Sequence, residues 1–245
     1  MYMDRVSTSF DGYVPSEFTK ARILITGLSG GAGVDVARSF AEHRARLIVH
    51  TTELSPELIE LVAVLTQSAH EIRLHTHDIS AADAAATFAQ TSAQAYGGLD
   101  AAINMSSISR EEFGAIVGDR DLNALVAAKL GSLAQLTRVI ANRMSLVLSE
   151  GLVLNVVNMP RPRNSREAAI AGYIRTALAA MTAKEARAWA PKGLRINAVG
   201  PCVFSTGGLD DLMDEPDVAS LALYLASHQG RSLSGHVFDA DAMAC

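Results

Sequence analysis

A glycine-rich turn near the start of the chain has the residue types that bind a phosphate. The sequence T-G-L-S-G-G-A-G at 26–33 follows a short apolar run at 23–25 and precedes a helical pattern that begins at Val34. Glycine lets backbone N–H groups approach a ligand closely, and a helix N-terminus adds unpaired donors and the positive end of a dipole. A strand, a glycine-rich turn and a helix in this order indicate a dinucleotide site, although such turns also serve packing alone.

The composition excludes several classes of protein. The chain has 245 residues, of which 49% are hydrophobic, and a formal net charge of −5. This acidic balance provides no basic surface for nucleic acid, and no uncharged apolar run approaches the roughly eighteen residues of a membrane span. The two cysteines, Cys202 and Cys245, indicate neither a disulfide framework nor a zinc site. With no signal sequence in the pattern of the first residues, we expect a cytoplasmic protein without a metal.

Short apolar strands alternate with helical patterns along the chain after the turn. Strands are expected at 46–50, 72–76, 99–104, 152–157, 194–199 and 236–239, and helices at 34–43, 56–68, 81–96, 121–148, 166–190 and 217–227. This alternation predicts an α/β fold, namely a single doubly wound Rossmann domain with a seven-stranded parallel sheet and helices on both faces. The domain spans 21–245, and residues 1–20 form an N-terminal extension whose aromatic residues suggest packing against a neighbour.

Six segments, taken in order, resemble the short-chain dehydrogenase/reductase family. The glycine turn matches the family's T-G-x-x-x-G-x-G, and Y-G-G-L-D-A-A-I-N at 96–104 is similar to F-G-x-L-D-x-x-V-N. A-P-K-G-L-R-I-N-A-V-G-P is close to A-P-x-G-I-R-V-N-A-V-x-P-G, and the other matches lie at 77–80, 217–227 and 233–241. The resemblance implies an NAD(P)-dependent oxidoreductase that acts on a small carbonyl or hydroxyl compound. It also implies a homo-oligomer, a dimer or tetramer, with a hetero-oligomer as the open alternative.

The resemblance further implies which residues hold the cofactor. The implied set is Thr26, Gly27, Ser29, Gly31, Gly33, Thr51, Asp78, Ile79, Asn104, Arg175, Pro201 and Thr206. The choice between NAD and NADP stays open. An acidic residue directly after the second strand would favour NAD, whereas Thr51 and Thr52 are small enough to admit a 2′-phosphate. NADP is therefore slightly favoured, although turn chemistry explains the two threonines equally well.

The residues that carry out the family's proton transfer are replaced. Counting back from the motif at 190–201 puts Arg175 at the position of the family's Lys and Ala171 at that of its Tyr. The Ser position becomes Asn158, and the helix Asn becomes Ala128. Arg175 keeps a positive charge that could hold the cofactor ribose, but a guanidinium does not titrate near neutral pH. Asn158 could donate one hydrogen bond to a carbonyl, and no residue obviously supplies the proton.

Other polar groups near these positions have simpler interpretations. Tyr173 lies two residues from Ala171, which is about 200° around a helix, so it should face away. Lys129 could reach the site but is more simply a solvated helix lysine. The three arginines in the loop 161–166 could bind a phosphate, although a solvated loop is the simpler interpretation. The segment 207–215 has nine residues, which is short for the family's substrate lid and leaves the cleft open to water.

Two functional hypotheses follow. The favoured one is an NAD(P)-binding protein whose standard oxidoreductase chemistry is impaired or lost, and which acts as a sensor, a scaffold or a partner subunit. The alternative is an active NAD(P)-dependent oxidoreductase that uses a non-standard proton donor, such as water or a group of the substrate. A domain that keeps the fold and binds no cofactor is a third possibility.

Overall fold

A central parallel sheet organises the chain, and helices connect its strands. The computed structural model describes residues 16–30, 32–147, 150–203 and 215–239. The strands are β1 (Arg22–Thr26), β2 (Arg46–His50), β3 (Glu71–His75), β4 (Ala101–Ser107), β5 (Gly151–Asn158), β6 (Leu194–Gly200) and β7 (Val237–Asp239). The helices are α1 (Val34–Glu42), α2 (Pro56–Ser68), α3 (Ala82–Ala95), α4 (Arg110–Gly114), α5 (Asp119–Leu146), α6 (Ser165–Trp189) and α7 (Glu215–Ala226).

The order of the strands places a ligand crevice at one edge of the sheet. All neighbouring strands pair in parallel, in the order β3-β2-β1-β4-β5-β6-β7. The chain changes direction across the sheet between β1 and β4. Open α/β sheets bind ligands at the carboxyl ends of the strands beside such a switch point. The predicted seven-stranded, doubly wound Rossmann domain is confirmed.

Helices cover both faces of the sheet, which explains why its inner strands are apolar throughout. One core cluster joins the sheet to α1, α2 and α7, and a second joins it to α3, α5 and the end of α6. β1 shows the alternation of a strand, because Ile23 and Ile25 enter the first cluster and Leu24 enters the second. The carboxyl end of β1 is therefore held rigidly between the two clusters.

Helix α5 is, among the described residues, long and apolar enough by length and composition to cross a membrane. Its inner face is buried against the sheet, and that face includes Leu133, Leu136 and Ile140. Core helices of soluble proteins meet the same two criteria, so the length of α5 is weak evidence for a membrane.

The last residues of the N-terminal extension pack against the domain. Phe18 is buried, and its ring meets the ring of Phe40 edge-on with 5.5 Å between centroids. The other three aromatic residues of the extension lie outside the described part of the chain. Phe18 therefore belongs to the core cluster on the α1 side of the sheet.

Strand β4 extends further than its sequence pattern predicts. The pattern ends at Asn104, whereas the strand continues to Ser107, which pairs with Asn158 at the end of β5. The longer ladder carries β4 up to the level of the candidate site.

A short helix, α4, follows β4 and is absent from the sequence prediction. The hydroxyl of Ser109 accepts a hydrogen bond from the Glu112 amide, and the Glu112 carboxylate accepts one from the Ser109 amide. This reciprocal capping box satisfies donors at the helix N-terminus. Through Phe113, α4 contributes an aromatic side chain to a third apolar cluster, described below.

Candidate cofactor and active site

The glycine turn is fixed by close packing at its first glycine. Gly27 has a φ of +75°, and a Cβ there would lie 2.4 Å from the carbonyl oxygen of Met105. Gly33 is the N-cap of α1 with a φ of +87°. Both positions favour glycine, because other residues rarely adopt this left-handed backbone. The turn therefore places the start of α1 next to the carboxyl ends of β1 and β4.

Within the turn, part of the hydrogen-bonding capacity is used internally. The amide of Ser29 donates to the carbonyl of Ala32 over 2.9 Å, and the amide of Leu28 donates to the carbonyl of His50 over 3.1 Å. Gly31, the middle glycine of the predicted set, lies outside the described residues. The N-terminus of α1 remains as the source of donors for a phosphate.

An unpredicted carboxylate contacts the turn. Oε2 of Glu53 accepts a hydrogen bond from the amide of Gly30 over 3.2 Å. Thr51 holds this loop in place, because its hydroxyl accepts from the Glu53 amide and donates to the Glu53 carbonyl. Thr51 is thus a buried turn residue. The sequence does offer one signal for Glu53, because it is an acidic residue soon after the second strand.

A cavity of about 240 Å³ opens beside the turn, between β1, β4 and α5. It brings together four residues of the predicted set, Thr26, Gly27, Asp78 and Ile79. The remaining lining residues are His50, Ser80, Met105, Ser106, Ala128, Lys129, Ser132, Leu133 and Leu136. The walls mix apolar side chains, such as Leu133 and Leu136, with polar ones, such as Lys129 and Ser132.

Asn104 braces the strand ends under the cavity. It is fully buried, accepts a hydrogen bond from the hydroxyl of Thr26 over 3.1 Å and donates to Oδ1 of Asn155 over 3.0 Å. The hydroxyl of Thr137 on α5 donates to the same oxygen. This network aligns β1, β4 and β5, and it uses the Asn104 side chain for positioning.

Asp78 shapes the loop that presents Ile79 to the cavity. Its carboxylate accepts hydrogen bonds from the amide of Ser80 over 2.8 Å and from the hydroxyl of Ser80 over 3.0 Å. These bonds, with the amide first, lower the pKa of Asp78. The loop is therefore held in one conformation by an ionised side chain.

Asn158 ends β5 beside Ser107, where the family's Ser is expected. The backbone carbonyl of Asn158 accepts a hydrogen bond from the amide of Ile108 over 2.8 Å. Oδ1 of Asn158 is buried and has no hydrogen-bond partner among the described residues. The side chain therefore offers an unused acceptor at the end of the strand.

Ala171, at the position that the resemblance assigns to the family's Tyr, is enclosed by apolar side chains. Ala171 has 0% of its surface exposed. It belongs to an apolar cluster built from α4, α5, α6 and the ends of β5 and β6. The buried members are Ile108, Phe113, Ile116, Leu130, Leu133, Val157, Met159, Ile170, Ala171, Ile174, Leu178 and Ala198. Ala171 itself has no group that donates a proton, and the side chains packed with it in this cluster are apolar.

Arg175 is engaged in contacts away from the cavity. Its guanidinium lies 2.6 Å from a carboxylate oxygen of Asp239, and it donates to the carbonyl oxygens of Pro201 and Val237. Gly200 permits this approach, since a Cβ there would lie 2.8 Å from Nη1 of Arg175. Arg175 thus joins α6 to β6 and β7. Its contact with a ribose stays a prediction, and Thr206 lies outside the described residues.

Tyr173 faces away from Ala171, as the helical rotation predicts. Its hydroxyl donates to Oδ1 of Asn123 on α5 over 2.9 Å, and the residue is 48% exposed. Lys129, by contrast, is more than a solvated lysine. Its ammonium donates to the Ser107 carbonyl over 2.7 Å and lies 2.9 Å from a Glu112 carboxylate oxygen. Lys129 thereby joins α5 to the end of β4 and to α4.

The arginine loop and the acidic groups provide structural contacts. Arg166 donates to the carbonyls of Ile116 and Val117 just after α4. The Glu167 carboxylate accepts a hydrogen bond from the Arg163 amide, just before the N-terminus of α6, and it forms an ion pair with Arg110. Among the residues that the structure describes, no group of three or more His, Cys, Asp and Glu side chains is placed to hold a metal ion.

This fold and this cleft define a class of protein. The family model described as short chain dehydrogenase matches residues 21–217. The chain therefore belongs to the short-chain dehydrogenase family.

Named relatives are distant but extend over most of the chain. The 3-oxoacyl-[acyl-carrier-protein] reductase FabG of Chlamydia muridarum is 21% identical and matches 89% of this chain and 94% of its own. The 2-dehydro-3-deoxy-D-gluconate 5-dehydrogenase of Bacillus subtilis is 23% identical, over 89% of this chain and 92% of its own. Both are oxidoreductases by name, as expected for the family.

Solved structures agree with the fold. A short chain dehydrogenase from Mycobacterium smegmatis superposes with a TM-score of 0.73 at 19% identity, covering 91% of this chain and 92% of its own. A short-chain dehydrogenase/reductase from Serratia marcescens gives a TM-score of 0.70 at 17% identity, covering 91% and 96%. These likenesses establish the architecture in which the cavity lies.

Proposed function

We propose that this protein binds a nicotinamide adenine dinucleotide but lacks the standard Ser-Tyr-Lys oxidoreductase chemistry of its family. It then acts as a sensor, a scaffold or a partner subunit. The observation that carries the proposal is the burial of Ala171 in an apolar cluster. Polar groups remain at the other end of the cleft, where a dinucleotide would be held.

The residues present fit such a cofactor on its adenine side. The N-terminus of α1 and the turn at Gly27 would hold the pyrophosphate, and the loop with Asp78 and Ile79 would flank the base. The nicotinamide supplies or accepts a hydride when bound. Transfer to a carbonyl also needs a proton near the oxygen, and neither the amide of Asn158 nor the guanidinium of Arg175 is a ready proton donor. The bound cofactor would therefore be held and not readily turned over.

The choice between NAD and NADP depends on Glu53. Thr51 and Thr52 favour NADP slightly by their size, but the Glu53 carboxylate lies on the Gly30 amide. A carboxylate accepts a hydrogen bond from a ribose 2′-hydroxyl and repels a 2′-phosphate. This contact supports NAD over the NADP preference drawn from the threonines.

An active oxidoreductase is the second candidate function, and Asn158 is the observation that favours it. Its buried Oδ1 has no partner among the described residues and would accept a hydrogen bond from a substrate hydroxyl. The proton would then come from water or from the substrate itself. The names of the relatives also support this candidate.

Calorimetric titration followed by a turnover assay tests both candidates. We expect NADH to bind, and no oxidation of NADH with a panel of aldehydes and ketones. Sustained oxidation would overturn the favoured function and support the second. The absence of heat with NADH and NADPH at about millimolar concentration would overturn both.

A matched pair of variants tests the assignment of Glu53. Glu53→Gln keeps the length of the side chain and removes its charge, so the preference for NADH over NADPH should fall by about tenfold. Glu57→Gln removes a charge from the first turn of α2 and should leave the preference unchanged. An equal preference in the wild type and in Glu53→Gln would contradict the role of Glu53.

We also propose a cytoplasmic homo-oligomer, a dimer or tetramer, that has neither nucleic acid nor a membrane as a partner. The outer faces of α5 and α6 support this, because the partly exposed Tyr173 and the Ala-rich α6 suit helix packing between subunits. A hetero-oligomer with an active relative is the other arrangement. Light scattering on the purified chain, followed by a pull-down with candidate relatives, separates the two.

A further inference from the structure

A second and larger cavity lies at the amino ends of the strands, on the edge of the sheet opposite the glycine turn. Its volume is about 880 Å³, within the roughly 300–1,000 Å³ of pockets for small organic ligands. Four of its lining residues are the first or second residue of a strand, namely Ile23, Ala101, Gly151 and Leu194. Among the described residues of the glycine turn, the Asp78 loop and the cluster around Ala171, none lines it. The cavity is therefore separate from the cofactor cleft.

The segment before β1 and the turn after α7 meet at this cavity. Oε2 of Glu17 accepts a hydrogen bond from the amide of His228 over 3.0 Å, and both residues line the cavity. Phe18, the neighbour of Glu17, is buried in the core cluster on the α1 side of the sheet. A contact across 211 residues of chain therefore holds the rim of the cavity in place.

Arg195 on β6 lines the cavity with a guanidinium that two backbone carbonyls fix. Its Nη1 donates to the carbonyl oxygen of Leu225 over 2.6 Å and to that of Gly230 over 2.8 Å. Nε and Nη2 of Arg195 have no hydrogen-bond partner among the described residues, and both retain some contact with solvent. An arginine presents five N–H donors in one plane, so this side chain has donors left for a ligand.

Three carboxylates are found among the described residues that line the cavity, and two of them are already engaged. Asp100 forms an ion pair with Arg22 and accepts a hydrogen bond from the Arg22 amide. Glu17 is bonded to the backbone amide of His228. Glu150, the third, has no hydrogen bond or ion pair among the described residues.

The cations of the lining outnumber this one remaining carboxylate. Lys20 and Arg231 are exposed and have no hydrogen-bond or ion-pair partner among the described residues. Burial lowers the pKa of Arg195, Glu150 acts in the opposite direction, and Arg231 lowers it further. Because screened charges act over short distances, Glu150 and Arg231 both lie near the Arg195 guanidinium. Three cations against one available carboxylate give the cavity a positive potential, which favours an anion.

We propose that this cavity is a second ligand site and that it binds a small organic anion with two or more negative charges, either a carboxylate or a phosphate ester. The fixed guanidinium of Arg195 would donate charge-assisted hydrogen bonds to one anionic group. Lys20 and Arg231 would neutralise the remaining charge. The proposal goes beyond the proposed function and does not depend on it, because the cavity shares no described lining residue with the cofactor cleft.

Calorimetry on the full-length chain tests the proposal with two probes, citrate as a tricarboxylate and glycerol 3-phosphate as a phosphate ester. We expect at least one of them to bind at about millimolar concentration or below at low salt, and its affinity to fall as salt is added. Tighter binding of citrate would assign the site to carboxylates, and tighter binding of glycerol 3-phosphate would assign it to phosphate esters.

Three variants with altered charge locate the bound anion. Arg231→Gln removes a cation from the lining and should weaken binding by about fivefold. Glu150→Gln removes the opposing carboxylate and should strengthen binding by about threefold. Arg120→Gln, at an exposed position on α5 that does not line the cavity, is the matched control and should leave the affinity unchanged.

The outcomes separate this site from the cofactor cleft. Absence of binding by both probes overturns the proposal and leaves the proposed function standing. Binding that is equal in the wild type, Arg231→Gln and Glu150→Gln also overturns it, because the anion would then lie elsewhere, for example at the N-terminus of α1. An equal loss of affinity in Arg231→Gln and Arg120→Gln would overturn it as an effect of net charge alone. Should Arg231→Gln not fold, as judged by circular dichroism, Lys20→Gln replaces it and should weaken binding to a similar degree.

Discussion

The two ends of the cleft differ in the polar and apolar groups that they contain. At the end formed by β1, β2 and β3, His50 keeps a buried acceptor, and the Gly30 amide binds a carboxylate. At the end formed by β4, β5 and β6, Ala171 is enclosed by apolar side chains such as Phe113 and Ile174. The first end holds polar groups next to the cavity. At the second end Ala171 has no proton-donating group, and the buried Oδ1 of Asn158 is an acceptor without a partner among the described residues.

This difference bears on whether the glycine motif indicates cofactor binding or only packing. Gly27 is required by the carbonyl of Met105, which leaves no room for a Cβ. The motif would therefore be retained for packing even in a protein without a cofactor. The contact between Glu53 and the Gly30 amide is the more informative feature, because packing of the glycines does not require a carboxylate there.

Gly27→Ala should have the largest effect and tests how much of the cofactor end is packing. The new methyl group would meet a backbone oxygen at 2.4 Å in a left-handed backbone conformation. We expect a loss of about 3 kcal/mol or more in the free energy of unfolding, measured by urea denaturation. Binding of NADH should fall in the same variant.

Gly172→Ala on α6 is the control for this substitution. A Cβ there would have no neighbour within 4 Å. Replacing a helical glycine by alanine should raise stability by up to about 1 kcal/mol. Equal stability of the Gly27 and Gly172 variants would show that the turn tolerates a side chain.

Ala171→Tyr tests whether a tyrosine at this position restores carbonyl reduction. Because Ala171 is fully buried, the larger side chain should cost about 1–3 kcal/mol by overpacking and should not produce carbonyl reduction. The measurements are urea denaturation and NADH oxidation with a carbonyl panel. Ala169→Tyr, at an exposed position on the same helix, should change stability by no more than about 0.5 kcal/mol. Gain of activity in Ala171→Tyr would mean that a single side chain separates this protein from an active enzyme.

Arg175→Lys should have a smaller effect, and it tests whether the cation of Arg175 supports the structure or binds the cofactor. Lysine keeps the charge but loses the planar fork that contacts Asp239 and two carbonyls. We expect a loss of about 1 kcal/mol in stability and an NADH affinity within about twofold of the wild type. Arg187→Lys, at an exposed site near the end of α6, serves as the control. A selective loss of NADH affinity would instead assign Arg175 to the ribose.

The fold was predictable from the sequence because buried parallel strands read as short apolar runs. The predicted strands match the observed ones closely, apart from the extension of β4 to Ser107. That extension covers only residues 105–107, and α4 depends on a local capping pair, Ser109 and Glu112. Both are signals of a few residues, which a search for long periodic segments passes over.

Contacts between distant segments were not predictable from the sequence. Glu53 reaches Gly30 only because the loops after β1 and β2 meet at the sheet edge, and Arg175 meets Asp239 across 64 residues of chain. Spacing within a motif predicts which residues share a helix face, as it did for Tyr173. It does not reveal which partner a charged side chain finds in the folded chain.

The smallest expected effect is a pH dependence of stability at the cofactor end. Burial, the largest cause, lowers the pKa of His50 and of His75 below the unfolded value of 6.5. The unfolded chain therefore takes up protons before the folded one, and stability is full above pH 6.5 and falls as the pH drops towards the folded pKa values. Urea midpoints measured at about pH 7.5 and about pH 5.5 should show this fall. A double variant, His50→Phe with His75→Phe, should flatten it, and an unchanged slope in that variant would place the sensitivity elsewhere in the molecule.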